Sequence, residues 1–354
     1  MLPLDQPAPL RPEDAFDAVR ADAFLKLAIP DLQGLPEVRQ FPGGASNLTY
    51  LLTYPGRELI LRRPPPGTKA RSAHDMIREA RVMAALRPVY PWVPRVLAVC
   101  GDEAVLGAPF YAMERIPGII LRRDLPRGLV LDAERARRLC LNVLDRLVDL
   151  HQVDWRAAGL GDLGRGEGYV QRQVEGWMAR YRAARTPDAA DFEAVMAWLW
   201  RTRPERDAAT CLVHNDYRFD NVVLDGADPL KVVGVLDWEM ATLGDPLMDL
   251  GNTLAYWAQA DDDRSFLKLR RQPTHLPGML TRAEVVEHYR DRTGLDTSGM
   301  RFYLAFGLFR LAAIAQQIYA RFAEGATRNP EFAGFALLTH ILEGRCKALM
   351  REAP

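Results

Sequence analysis

Apolar positions fall into two regimes along the chain. After a proline-rich lead-in and a short amphipathic helix, Leu48–Thr53 and Glu58–Arg63 are rich in β-formers, with Tyr54-Pro55-Gly56-Arg57 as a turn between them. A helix is predicted over Ser72–Leu86, capped by Ser72 and stopped before Pro88. Short strands at Val96–Val99 and Phe110–Met113 complete a small β-rich lobe, and Ile116-Pro117-Gly118 reads as a connector. Beyond it the period lengthens. Glu134–His151 carries Leu139, Val143, Leu144, Leu147, Val148 and Leu150 at helical spacing, and Val170, Val174, Trp177, Met178 and Tyr181 form a second stripe. Two strands interrupt the helices near Asn221 and Lys231, and the remainder to Met350 reads as helix. The expectation is an α+β chain of two lobes: residues 1–113, a hinge at 114–119, and a mainly helical lobe over 120–354, with a ligand cleft between them.

Composition narrows the classes without changing that picture. The 354 residues suit two lobes, with 48% hydrophobic and 26% charged side chains. Lys and Arg total 46, Asp and Glu total 46, so nothing global favours nucleic acid or an anionic membrane. Cys100, Cys140, Cys211 and Cys346 lie far apart, without metal-site or redox spacing, and read as reduced. The start, MLPLDQPAPLRPEDAF, lacks the apolar core of a signal peptide, and the greasiest stretch, Phe302–Phe322, is broken by Arg310, Gln316, Gln317 and Arg321. A cytoplasmic protein with a small-molecule partner is expected.

The chemistry concentrates in LVHNDYRFDNVVLDGADPLKVVGVLDWE. Asn221–Leu224 and Leu230–Leu236 read as the strands of a hairpin, and an antiparallel hairpin brings the start of its first strand beside the end of its second. Asn221 therefore lies next to Asp237, and their hard oxygens suit Mg²⁺ with phosphates completing the shell. Asp216 sits on the loop entering the hairpin, in reach of a substrate hydroxyl as catalytic base. Asp225 and Asp228 are turn formers, and His214 braces the loop.

In the small lobe, strand alternation puts Ile60 and Arg62 on one face and Leu61 and Arg63 on the other, and Glu79 shares a helix side with Met76 and Met83. A carboxylate on an apolar stripe seeks a cation, and Arg62 is its expected partner, with Arg63 as the alternative. Gly43-Gly44-Ala45-Ser46-Asn47 precedes the first strand as a candidate phosphate lid, with Gly44, Ser46 and Asn47 as its ligating positions. Arg218, two residues past Asp216, is a candidate γ-phosphate contact. The plainer alternative for Arg218 is an exposed loop arginine.

These residues resemble the aminoglycoside phosphotransferase family, with its His-Gly-Asp loop, an Asn five residues on, and a later metal-binding Asp. Asn215 stands here where that family has glycine, and Arg62 where kinases usually have lysine. FPGGASNLTY, LILRRPPPG, FYAMERIPG, HNDYRFDN, LDWEMATLGDP and FYLAFGLFRLAAIAQQIYAR resemble, more narrowly, the subgroup fused to acyl-CoA dehydrogenases in animals and free-standing in bacteria, which also carries arginine at the strand position. The resemblance implies a protein-kinase-like bilobal fold, ATP and Mg²⁺, adenine recognition by the backbone of Glu114 and Ile116, and Asp245 and Asp249 as braces of the catalytic loop. For the subgroup it implies phosphorylation of a hydroxyl on a hydroxyacyl-CoA, notably 4-hydroxyacyl-CoA.

The acceptor pocket is expected in the helical lobe, where Tyr169, Arg172, Gln173, Arg310, Gln317 and Arg321 are candidates and intramolecular pairing is the plainer reading for each. Asp261-Asp262-Asp263 is the one dense acidic run, and it reads as a solvated loop. A polycationic antibiotic therefore ranks below an acyl-CoA-type or other small hydroxyl metabolite as acceptor. The alternatives are an aminoglycoside or choline/homoserine-like kinase, and a nucleotide-binding pseudokinase, for which Asn215 and Arg62 are the motives.

Overall fold

A computed structural model describes residues 4–41, 47–65, 75–326 and 329–352. Ala8–Pro9 (β1), Glu37–Gln40 (β2), Leu48–Tyr54 (β3), Arg57–Arg63 (β4), Val96–Cys100 (β5) and Phe110–Glu114 (β6) form an antiparallel sheet in the order β1-β2-β3-β4-β6-β5. Alternation gives this sheet two apolar faces. Tyr50, Leu52, Leu59, Leu61, Phe110 and Ala112 pack with Ala21 and Leu25 of the helix Ala18–Ala28 (α1). Leu51, Ile60, Tyr111 and Met113 pack with Met76, Ala80 and Met83 of Met76–Leu86 (α2). The expected cap at Ser72 lies outside the described residues. Asp75 caps α2, its carboxylate accepting from the Arg78 N–H at 2.9 Å. A single turn of helix, Glu103–Leu106 (α3), links β5 to β6.

The α2 face of the small lobe shares one apolar core with the large lobe, so the change in pattern near residue 113 does not mark a break in the core. Glu114 still pairs with Leu59 in the small sheet, and Ile119, in Ile119–Ile120 (β7), pairs with Leu224 of the large lobe. The crossing between lobes is thus residues 115–118. It runs against the hairpin so closely that a Cβ on Gly118 would sit 2.3 Å from the Leu224 carbonyl oxygen.

The large lobe contains Ala133–His151 (α4), Tyr169–Ala183 (α5), Glu193–Thr202 (α6), Cys211–Val213 (β8), Val222–Leu224 (β9), Val232–Val235 (β10) and Thr242–Gly244 (β11). Pro246–Ala255 (α7), Arg264–Leu269 (α8), Arg282–Thr293 (α9), Met300–Ala323 (α10) and Phe335–Arg351 (α11) follow. The α10 helix is apolar nearly all round because it is the central, buried helix. It crosses α7 at two glycines. A Cβ on Gly251 would lie 2.4 Å from the Tyr303 oxygen, and one on Gly307 would lie 2.3 Å from the Gly251 oxygen. The predicted hairpin forms with Val222 opposite Val235, but its first strand begins one residue later than expected, because Asn221 closes a 3-10 turn over Phe219–Asn221.

The acidic run is solvated only in part: Asp261 and Asp263 are exposed. The Asp262 side chain is 4% exposed and pairs with Arg282 at 2.7 Å and Arg345 at 2.7 Å, while Asp263 caps α8. Burial works against the Asp262 charge, and bonds from Arg282, the Gln259 N–H and Arg345 outweigh it, holding the carboxyl below its ordinary range. Among the described residues, no helix is long and apolar enough to cross a membrane. All four cysteines are buried and free.

Candidate active site

The loop between β8 and β9 is held from behind. Asp249 of α7 is buried and accepts the N–H of His214 at 2.6 Å and of Asn215 at 2.8 Å. His151 Nε2 lies 3.1 Å from the same carboxylate, and His151 Nδ1 lies 2.6 Å from the Tyr289 hydroxyl. Burial pushes the Asp249 carboxyl up, yet His151 and His214 outweigh that and keep it low and ionised. The His214 ring spans the gap between loop and hairpin: Nε2 meets the Leu236 carbonyl at 2.9 Å, and Nδ1 accepts the Asp216 N–H at 3.3 Å. Those partners assign the proton to Nε2.

Asn215 has φ +65°, in the left-handed region. Asparagine tolerates that conformation better than other side chains, which accounts for its standing where the resembling family has glycine. Its side chain adds contacts that glycine lacks: Oδ1 accepts from the Tyr169 hydroxyl at 3.1 Å and from Asn252 at 3.3 Å, and Nδ2 donates to the Met240 carbonyl at 3.2 Å.

The fold brings Asp216, Asn221 and Asp237 together. Asn221 Nδ2 donates to the Asp216 carbonyl at 2.8 Å and to Asp216 Oδ2 at 3.1 Å, which leaves the amide oxygen as the ligating end. The Leu236 N–H donates to the Asn221 carbonyl at 2.8 Å, setting Asp237 beside the same point. Asp237 also has φ +69°, a strained setting of the kind found at functional sites. Burial works against its charge, and Arg62, with His214 and Arg218 beyond it, more than offsets this and lowers the carboxyl. One carboxylate and one amide oxygen fit Mg²⁺, which takes few protein ligands and completes its shell with phosphates and water. Among the described residues, no three His, Cys, Asp or Glu side chains gather as an all-protein metal cage.

Arg218 is no exposed loop arginine. Its side chain is 18% exposed, lies 3.2 Å from Asp216 and 3.3 Å from Asp220, and covers the Tyr256 ring at 4.4 Å. On the small-lobe side, Arg62 is the strand arginine that meets Glu79, at 2.9 Å, and it continues to Asp237 at 3.0 Å and Glu239 at 3.7 Å. Burial opposes the Arg62 charge, but Glu79, Tyr111, Asp237 and Glu239 overcome that and keep it protonated. Arg63 faces the other way, over the Phe16 ring. Asn47 donates to Glu239 at 2.6 Å, while Gly44 and Ser46 lie outside the described residues. In the hinge, the Glu114 N–H donates to the Arg95 carbonyl at 2.9 Å, and the Ile116 side chain packs over Gly234.

With this geometry in place, comparison with known proteins is decisive at the level of family. The profile of the phosphotransferase enzyme family (APH) matches residues 37–285. The chain belongs to that family. Among curated relatives of this phosphotransferase, mouse acyl-CoA dehydrogenase family member 11 is 33% identical over 325 residues, covering 89% of this chain and 41% of the relative. Mouse family member 10 is 38% identical over 296 residues, covering 82% of this chain and 27% of the relative. The chain therefore spans less than half the length of either. Among solved structures, a Ralstonia eutropha JMP134 protein provisionally described as an aminoglycoside phosphotransferase is 31% identical, with TM-score 0.77, over 94% of this chain and 99% of that one. A GDP and kanamycin complex of an aminoglycoside 2''-phosphotransferase shares the fold, with TM-score 0.61 at 14% identity, over 93% of this chain and 99% of that one. The α+β fold of the phosphotransferase enzyme family is thus the setting for the residues above.

Next to the loop between β8 and β9 lies a cavity of about 300 Å³ lined by Tyr169, Gln173, Trp177, Arg180, Asn215 and Arg310, with Arg78 and Glu239 also on its wall. Of the acceptor candidates read from the sequence, Tyr169, Gln173 and Arg310 meet here. Arg172 instead folds back onto the Gly166 carbonyl at 2.8 Å, Gln317 donates to Ala313 at 3.1 Å within its own helix, and Arg321 is exposed. Arg78, Trp177 and Arg180 were not anticipated at the site. The one sequence signal for the last two is their spacing of three on a helix, which sets a cation over an aromatic ring.

Proposed function

We propose that the chain is an ATP- and Mg²⁺-dependent kinase that phosphorylates a hydroxyl of a small metabolite, specifically a hydroxyacyl-CoA. The observation that carries this reading is the convergence of Asp216, Asn221 and Asp237 at one end of the β9–β10 hairpin, tied through Arg62 to Glu79. Asp216 orients the acceptor hydroxyl and takes its proton as the oxygen bonds to the γ-phosphorus and the bond to the β–γ bridging oxygen breaks, releasing ADP. Asn221 and Asp237 are the residues that would hold Mg²⁺, which when bound neutralises phosphate charge. Arg62 holds the α/β-phosphates, and Arg218 steadies the γ-phosphate near Asp216. Residues 1–113 grip the nucleotide, with Gly44, Ser46 and Asn47 as the lid. Adenine meets backbone groups of Glu114 and Ile116 in the hinge, and residues 120–354 carry catalysis and the acceptor. A cytoplasmic setting fits four buried free thiols.

The pseudokinase alternative rests on Asn215 and Arg62. Asn215 has a conformation and three hydrogen bonds that suit it to its place, and Arg62 makes the pair with Glu79 that an active kinase needs. The test is mass spectrometry of products after incubation with MgATP and, separately, 4-hydroxyacyl-CoA, choline, homoserine and kanamycin. A phosphorylated hydroxyacyl-CoA is the expected product. Phosphorylation of kanamycin or choline alone would move the reading to those acceptors.

A further inference from the structure

Arg62, Arg63 and Arg310 are buried arginines, at 7%, 5% and 5% exposure. Arg62 is surrounded by carboxylates, and Arg63 donates to the Pro64 carbonyl at 3.4 Å. Arg310 differs: among the described residues it has no hydrogen bond and no ion pair, only the Trp177 ring, 5.2 Å from its guanidinium carbon. A buried cation without a carboxylate costs stability unless something else compensates it. Its guanidinium lines the cavity beside Asn215. Arg180 shares the same Trp177 ring at 4.7 Å and likewise has no carboxylate partner among the described residues. Two cations therefore share one indole, and neither has a carboxylate partner among the described residues.

The rest of the wall agrees with that sign. Its third arginine, Arg78, donates to the Glu239 carbonyl at 3.3 Å and to the Ala241 carbonyl. Among the described residues, Glu239 is the one carboxylate on the wall; it is engaged by Asn47 at 2.6 Å and lies 3.7 Å from Arg62. The cavity, about 300 Å³, has room for one small group and not for a whole coenzyme. From Arg310, Arg180 and Trp177 we infer that this cavity binds an anionic group of the acceptor, a carboxylate or a phosphate monoester, and selects acceptors by charge. The inference rests on the kinase reading for the word acceptor, but the anion site itself is read from the arginines. It predicts that a polycationic aminoglycoside binds poorly here, since such a ligand would meet three guanidiniums.

The test measures binding and turnover separately on the full chain with a non-hydrolysable ATP analogue and MgATP, respectively. Two matched pairs of probes distinguish the anion's source: hydroxyacyl-phosphopantetheine against hydroxyacyl-pantetheine, and a hydroxycarboxylic acid against its methyl ester. Calorimetry on the wild type is expected to show one charged probe binding about 10- to 100-fold tighter than its neutral twin. Arg310→Gln brings that ratio close to one, and Arg310→Lys keeps part of it. Arg180→Gln, at an exposed position that folding tolerates, lowers it a few-fold. A preference in the first pair identifies a phosphate and in the second a carboxylate. Equal binding of charged and neutral twins by the wild type overturns the inference, as does a preference that survives both Arg310→Gln and Arg180→Gln. A charge preference without phosphoryl transfer by the wild type contradicts the kinase reading alone, and transfer without a charge preference contradicts the anion site alone.

Discussion

Arg62 and Arg310 show two ways of burying a cation in one enzyme. Arg62 joins Glu79 on α2 to Asp237 at the end of the catalytic hairpin, so its charge is answered three times within the protein. Arg310 stands in the middle of α10 with an aromatic ring and, among the described residues, no carboxylate. The first arrangement is a brace: it ties α2 to the end of the β9–β10 hairpin and favours the ionised Asp237 carboxyl. The second leaves charge to be satisfied from outside. The difference teaches that two arginines buried to a similar degree can follow opposite electrostatic plans, one answered by carboxylates and one left against an aromatic ring.

The comparison can be broken most sharply at Asp237. Asp237→Ala is expected to lower phosphoryl transfer by roughly 10³-fold, from the several kcal/mol that metal-held charge contributes, while Arg62 keeps Glu79; unchanged turnover in a steady-state assay would remove Asp237 from the metal site. Next is the brace itself. Glu79→Gln leaves Arg62 short of its most buried partner and is expected to cost about 3 kcal/mol in urea unfolding. The double replacement Arg62→Met with Glu79→Leu should recover most of that stability but none of the turnover. Recovery of both would make the pair purely structural. Arg218→Ala is expected to lower turnover at saturating ATP by about 10- to 100-fold, the value of one charge-assisted contact; no change would leave it as a stack on Tyr256.

A smaller effect follows from Asp245, whose carboxyl burial drives from 3.8 up to about 6, against hydrogen bonds from Ala208, Met248 and Leu247. The folded chain then keeps a proton that the unfolded chain loses between about pH 4 and pH 6, so this group's contribution is full below that window and is lost as pH rises through it. Asp245→Asn keeps a cap acceptor and abolishes the titration. The stability advantage of the wild type over this variant should fall, by on the order of 2 kcal/mol, between about pH 4 and pH 7. A pH-independent difference in urea midpoints would contradict it. The smallest effect is expected at Asn215. Asn215→Gly should cost under about 1 kcal/mol, because glycine accepts the same φ, whereas Asn215→Ala adds about 1–2 kcal/mol of left-handed strain.

The catalytic hairpin was legible because its parts are neighbours in sequence: Asp216, Asn221 and Asp237 lie on one loop and one hairpin, and strand alternation with helical spacing predicted where Arg62 and Glu79 would point. Edge strands were not legible. Glu37–Gln40 reads as EVRQ, with no apolar alternation, and becomes a strand only because Leu51 and Leu52 of β3 present a ladder to it. Strand β11, TLG, forms only against β8. The acidic run misled because sequence shows Asp262 but not Arg282 and Arg345, which arrive from α9 and α11. The cavity beside Asn215 was half legible. Arg310 stood out as a charge inside a greasy helix, but Trp177 looked like one more core position, and nothing local ties α5 to α10.

The most direct test of the account is transfer of the γ-phosphate from MgATP to 4-hydroxyacyl-CoA, followed by ³¹P NMR for the wild type and for Asp216→Asn, with MgATP affinity measured for both. The account predicts a phosphate monoester from the wild type, a rate roughly 10²- to 10⁴-fold lower for Asp216→Asn, and the same MgATP affinity in each. Equal rates for the two proteins, or MgATP binding without transfer by the wild type, would contradict it.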